Sequence, residues 1–208
     1  MRVLFITWSW SSHYYPMVPF GWALRAAGHE VMVASQPSFA STITRAGLPA
    51  LPAGRDIDVR GLLGAAHRRR GTEDRPPAEG HGRIEEEGRS ALRTAADCAE
   101  AMADDTIGFA RAWQPDFVVY EPLGFLGPVL AGALGVPSLR LLWATDSARK
   151  ILRIEDELLG GLARRIGAAR VNLLGDVTLD PCPPGLQIAA DITRQPMRYI
   201  PYNGPAQL

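Results

Sequence analysis

Apolar residues occur in short blocks separated by glycine- and proline-marked turns. Val3-Leu4-Phe5-Ile6 is apolar at every position, the pattern of a parallel strand covered on both faces, and predicts a strand over Val3 to Thr7. A helix opening at Pro16 or Pro19 follows, since a missing N–H costs nothing in a first turn; it runs through Ala23, Leu24 and Ala26 to Gly28. Glu30 to Ala34 predicts a second strand, Pro37 to Ala46 a second helix closed by Gly47, and Leu48 to Pro52 a third strand. This alternation argues for an α/β fold with a Rossmann-like doubly wound parallel sheet flanked by helices.

The pattern lapses from about Arg55 to Arg89, where arginines, acids, glycines and Pro76-Pro77 leave almost no apolar periodicity. A solvated mobile loop is expected there, with a lid or docking segment as the sharper reading. Arg68-Arg69-Arg70 is too short for a nucleic-acid patch. Regularity resumes with a helix from Arg89 to Trp113, a strand from Asp116 to Tyr120, a helix from Gly124 to Leu134 capped by Gly135, a strand from Ser138 to Trp143, and an amphipathic helix from Glu155 to Ala169. Beyond Asp176 the chain is rich in proline, with one last strand expected at Met197 to Ile200. Pro201-Tyr202-Asn203-Gly204-Pro205 reads as a turn or linker.

Composition narrows the function. The chain has 208 residues, enough for one substantial core, and a formal net charge of +0, so electrostatics makes no case for nucleic acid or an anionic membrane as partner. Cys98 and Cys182 lack metal-ligand spacing and read as reduced structural residues. The apolar start is too short for a signal peptide and no stretch is long enough to span a bilayer, which makes the cytoplasm the expected location.

The chemistry concentrates after the first strand. Trp8-Ser9-Trp10-Ser11-Ser12-His13-Tyr14-Tyr15 reads as a loop at the carboxyl edge of the sheet, where open α/β folds bind ligands, and His13 can take a proton near neutral pH. A dinucleotide site would need glycines there so that backbone can approach a pyrophosphate. This loop has none and carries two tryptophans, so NAD or FAD binding in the usual manner is not expected, and there is no Walker motif.

Several stretches together resemble the N-terminal half of the GT-B glycosyltransferases, specifically the bacterial enzymes that decorate macrolides and other polyketides with deoxysugars. They are Met1 to Phe5 with His13, Pro16 and Pro19; Ala23-Leu24-Arg25-Ala26-Ala27-Gly28-His29-Glu30-Val31; Gln114-Pro115-Asp116 leading into Val118-Val119-Tyr120-Glu121-Pro122; Leu134-Gly135-Val136-Pro137; Leu141-Leu142-Trp143; and Met197 to Gly204. The resemblance implies an acceptor-binding domain over residues 1–200, a linker starting at 201–208, and a fragment without the donor-binding domain.

It further implies an inverting transfer of a deoxysugar from a nucleotide sugar, thymidine-linked, to an acceptor hydroxyl. An alcohol is a poor nucleophile until its proton is removed, so a base within hydrogen-bond reach is required. His13 matches the family's base position. Glu121 stands where family members commonly place an aspartate that orients the base, one methylene longer.

Trp10, Tyr14, Met17, Phe125 and Trp143 are expected to supply the apolar acceptor walls, between the first loop and the turns after strands four and five; Ser11 and Ser12 are expected to reach the donor phosphates. His29 reads as structural, and His67 and His81 as solvent-exposed. No metal and no cofactor is expected, the nucleotide sugar being a co-substrate. An auxiliary activator protein docking near 55–89 is a further possible partner. Two other readings stay open: a catalytically silent small-molecule binding domain on the same scaffold, and a Rossmann-type oxidoreductase or epimerase.

Overall fold

The computed structural model describes residues 1–62, 64, 80–146 and 155–205, the side chains of 80–87 and 155–156 excepted. Its frame is a parallel sheet of β1 (Arg2–Ile6), β2 (Glu30–Ser35), β3 (Ala50–Pro52), β4 (Phe117–Tyr120), β5 (Ser138–Leu141), β6 (Val177–Asp180) and β7 (Arg194–Pro196), in the order β3-β2-β1-β4-β5-β6-β7. Strand order reverses between β1 and β4, the place where doubly wound sheets open a crevice at their carboxyl ends.

β1 shows why an unbroken apolar run becomes a central strand. Its side chains alternate between two cores. Leu4 and Ile6 join the cluster under α4 (Gly80–Trp113), α5 (Leu126–Leu134) and α6 (Glu155–Ile166). Val3 and Phe5 join the cluster with Met17, Val18, Phe39 and Ile43, next to α2 (Val18–Ala26) and α3 (Ala40–Arg45). α4 buries Ala95, Cys98, Ala99, Met102, Ala103, Ile107 and Ala110, one stripe at helical spacing. Gly28, Gly47 and Gly135 have φ of 82°, 77° and 69°, the left-handed caps expected after α2, α3 and α5.

Four expectations are corrected. Helix α4 starts at Gly80, ahead of Arg89, because Glu85 to Glu87 and the arginines favour helix without carrying a periodic signal. The remainder of the expected 55–89 loop falls partly outside the described residues, as do Arg68 to Arg70 and the side chains of His67 and His81; Val59 to Leu62 forms a helical turn with Val59 buried. β6 lies inside the proline-rich region, and the last strand is Arg194–Pro196, before Met197 to Ile200. The first loop is also shorter than expected, since Ser11–Tyr14 forms helix α1.

A buried charge network fastens the last strand. Arg140, fully buried on β5, donates from Nη1 and Nη2 to Asp146 at 3.1 and 2.6 Å and from Nη2 to Thr178 Oγ1 at 3.0 Å. Arg194 on β7 pairs with Asp180 at 3.2 Å and Asp146 at 3.6 Å. The two aspartates thus tie β7 to β5 and β6; Arg140 is held by hydrogen bonds, whereas Nε and Nη2 of Arg194 are close to the carboxylates without hydrogen-bond geometry.

Candidate functional site

The site forms where β1, β4 and β5 end side by side. Ile6 pairs with Tyr120, and Tyr120 with Arg140, so Thr7, Glu121 and Leu141 stand at one level, Thr7 and Glu121 just past their strands and Leu141 at the end of β5. After β1 the chain turns tightly, with the Trp10 N–H on the Trp8 carbonyl, and enters α1. The His13 and Tyr14 N–H groups both donate to the Trp10 carbonyl. This single helical turn sends His13 back over β1 and β4.

The β4 turn comes close because of Gly124. A Cβ there would stand 2.9 Å from the Ile6 carbonyl oxygen and 3.1 Å from that of Glu121, so only glycine lets the loop lie against the end of β1. The Gly124 N–H closes the turn onto the Glu121 carbonyl at 2.7 Å.

Glu121 is fully buried and its Oε2 is a crowded acceptor. It lies 2.9 Å from His13 Nδ1, takes the Leu123 N–H at 2.9 Å and takes the Trp143 Nε1–H at 3.3 Å. Oε1 is sealed and has no hydrogen-bond partner among the described residues. His13 is 8% exposed. Its ring lies against Trp143, centroids 4.4 Å apart, and meets Trp8 edge-on at 5.2 Å. Nε2 makes no hydrogen bond among the described residues and is not one of the sealed polar atoms. The arrangement is a histidine held at Nδ1 by a carboxylate and open at Nε2, the geometry that orients a general base.

The expected pocket walls divide. Trp143 is 39% exposed and covers the pair, so it stands at the site and outside the core. Trp10 is half-buried, stacked on Trp8 with centroids 5.9 Å apart and with the Arg60 guanidinium 5.9 Å above its ring. Tyr14, Met17 and Phe125 are sealed in the core and present no surface to a ligand. Burial raises the Tyr14 phenol far above its ordinary range, with Tyr202 and Tyr15 adding to the shift. Tyr14 and Met17 are near His13 in the chain and Phe125 follows the fourth strand, but the direction in which each side chain points is set by helix phase and packing. Ser11 is half-buried and Ser12 exposed, both in the first turn of α1, while neighbouring Ser9 is turned to Gln36. His29 is half-buried between α2 and β2, away from the pair.

Sequence reasoning assigned no site role to Trp8, Phe20, Tyr199 or Ile200. A small apolar groove extends from Trp143 and Leu141 to Phe20, Pro181, Tyr199 and Ile200. It runs on the α2 side of Trp143, not between the first loop and the β4 turn. The only available signal was the unusual exposure of aromatic and branched residues in a proline-rich tail. Among the described residues no group of His, Cys, Asp and Glu could hold a metal ion, and no helix is long and apolar enough to cross a membrane.

The family model for the N-terminal domain of erythromycin biosynthesis protein CIII-like proteins matches residues 22–208. The chain is 37% identical to 10-deoxymethynolide desosaminyltransferase of Streptomyces venezuelae, over 98% of this chain and 54% of that protein. It is 35% identical to tylactone mycaminosyltransferase of Streptomyces fradiae, over 100% and 53%. Among solved structures, the Streptomyces sp. SF2575 glycosyltransferase SsfS6, complexed with thymidine diphosphate, superposes with a TM-score of 0.78 at 30% identity, covering 100% of this chain and 55% of that one. The chain spans about half the length of the curated relatives it matches. Its sheet is that of the N-terminal half of a GT-B glycosyltransferase.

Proposed function

The chain belongs to the erythromycin biosynthesis protein CIII-like N-terminal domain family, and on that premise we propose that it is the acceptor-binding half of an inverting glycosyltransferase. The protein that carries it moves a deoxysugar from a thymidine-linked nucleotide sugar to a hydroxyl of a polyketide or macrolide aglycone. The observation that carries this reading is the 2.9 Å contact between Glu121 and His13 Nδ1, with Nε2 left open at the carboxyl edge of the sheet.

In this reaction Nε2 takes the acceptor's hydroxyl proton as the oxygen attacks the anomeric carbon. The bond from that carbon to the diphosphate breaks, and the nucleoside diphosphate leaves with the electron pair. His13 becomes an imidazolium whose Nδ1–H is held by Glu121, which stabilises the charge as it forms. A base of this kind contributes on the order of 10²–10⁴ in rate.

Trp143, shared between the histidine and the apolar groove, places a flat hydrophobic wall beside the base, as a large aglycone needs. Ser11 and Ser12 stand at the edge where donor phosphates would arrive. The nucleotide sugar serves as co-substrate and no cofactor is part of the reading; an auxiliary protein docking on 55–89, a segment partly outside the described residues, completes the set of partners.

The test joins the chain to a donor-binding half and measures sugar transfer. His13→Ala abolishes transfer while circular dichroism stays that of the parent. Turnover of that variant within a few-fold of the parent excludes His13 as the base.

A further inference from the structure

Nδ1 of His13 has two neighbours that want opposite things from it. Glu121 Oε2, an acceptor when ionised, is 2.9 Å away, and Trp8 Nε1, which can only donate, is 3.0 Å away. Trp8 is 3% exposed and its indole N–H has no other partner among the described residues, so it cannot turn to water instead. One ring nitrogen carries either a proton or a lone pair. With a proton on Nδ1 the ring donates to Glu121, Nε2 carries the lone pair, and the buried Trp8 N–H is unsatisfied. With the lone pair on Nδ1 the ring accepts from Trp8, the proton sits on Nε2, and the carboxylate faces a lone pair. An unpaired buried polar group is costly in either arrangement, so the two tautomers are set against each other.

We propose that Trp8 is a positioning residue that competes with Glu121 for His13 Nδ1 and thereby sets which tautomer of the imidazole faces the cleft. The base-competent form, with Nε2 bare, is the one Glu121 favours; the form Trp8 favours has Nε2 already protonated and cannot accept an acceptor's proton. A carboxylate alone would lock the ring, and the indole keeps both forms populated. This deepens the reading of His13 as base and rests on it, but its test needs no sugar transfer, so the two can fail separately.

The experiment labels the histidine rings of the 208-residue chain with ¹⁵N and reads the Nδ1–H to Nε2–H ratio of neutral His13 by NMR, at a pH where the ring has lost its second proton. Four histidines make the spectrum assignable, and His29 serves as the folded-state control. Trp8→Phe keeps an aromatic plane without the N–H and shifts the ratio toward Nδ1–H by roughly fivefold, the effect of one neutral hydrogen bond. Glu121→Ala shifts it the other way, toward Nε2–H.

A ratio unchanged by Trp8→Phe, in a chain whose His29 signals are those of the parent, overturns the proposal. Should Trp8→Phe fail to fold, the unmodified chain decides, with its tryptophan indoles labelled with ¹⁵N as well. A ¹⁵N–¹⁵N coupling through the hydrogen bond between Trp8 Nε1 and His13 Nδ1 supports the competition, and absence of that coupling overturns it.

Discussion

Replacing Glu121 by glutamine removes a charge at the centre of the site and little else. Oε2 accepts from the Leu123 N–H and the Trp143 indole and holds His13 Nδ1. A carboxamide with its oxygen in that place keeps all three contacts as neutral ones. Hydrogen bonds to a charged partner contribute ~1.5–3 kcal/mol, against ~1 kcal/mol between neutral groups, so the histidine contact weakens by ~0.5–2 kcal/mol. The loss falls on the imidazolium formed during proton transfer, since a charged ring gains more from the carboxylate than a neutral one does.

At ~1.4 kcal/mol per tenfold in rate, kcat falls ~2–30-fold. KM for the aglycone changes less than ~3-fold, because ground-state binding does not involve the charge. The amide nitrogen replaces Oε1, sealed and without a partner among the described residues in either form, so folding stability changes little. The assay is steady-state transfer by the chain joined to a donor-binding half, with thermal melting as control. A kcat within twofold of the parent refutes the role given to Glu121.

Gly124→Ala would place a methyl 2.9 Å from the Ile6 carbonyl oxygen, so the β4 turn lifts and Glu121 separates from His13; the chain melts lower, and a crystal structure with the 2.9 Å pair intact counts against this account. Burial pushes the Cys98 thiol up to about 12, with Asp97 adding to the shift, whereas Cys182 is half-buried; at pH 8 a disulfide reagent therefore titrates Cys182 first and Cys98 only after denaturation, and equal rates in the native chain contradict this.

Burial works against the charge of Asp176, but the Ser138 N–H and hydroxyl and Arg170 outweigh it and hold the carboxyl below its ordinary value. Such a group stabilises the fold above its unfolded value of ~3.9 and loses that contribution as pH falls through the lowered folded value. Asp176→Asn therefore lowers the melting temperature at pH 7 and narrows the gap between melts at pH 7 and pH 3; an unchanged gap removes the linkage.

Much of the fold was legible because local chemistry and global architecture agree. Val3 to Ile6 is apolar on both faces, Gly28, Gly47 and Gly135 mark the helix ends, and the alternation of elements leaves few topologies. Where local signal was weak the reading slipped. Val177–Asp180 hides among prolines as a strand of four residues, and Gly80 to Gly88 is helical without an apolar stripe. Arg140 and Asp146 are six residues apart, but Asp180 and Arg194 join them in one network only across three strands.

The amino-acid order by itself determined that a glycine-free turn with a histidine follows the first strand, and that a carboxylate follows the fourth. Both facts are local, set by residue type and strand pattern. Only the tertiary structure decided that Glu121 meets Nδ1 of His13, that Trp143 covers the pair, that Trp8 reaches the same nitrogen, and that Tyr14, Met17 and Phe125 turn into the core. Helix phase aims each ring, while strand order brings β1 beside β4 and Gly124 allows the approach; the His13–Glu121 contact joins segments more than a hundred residues apart, which no local pattern encodes.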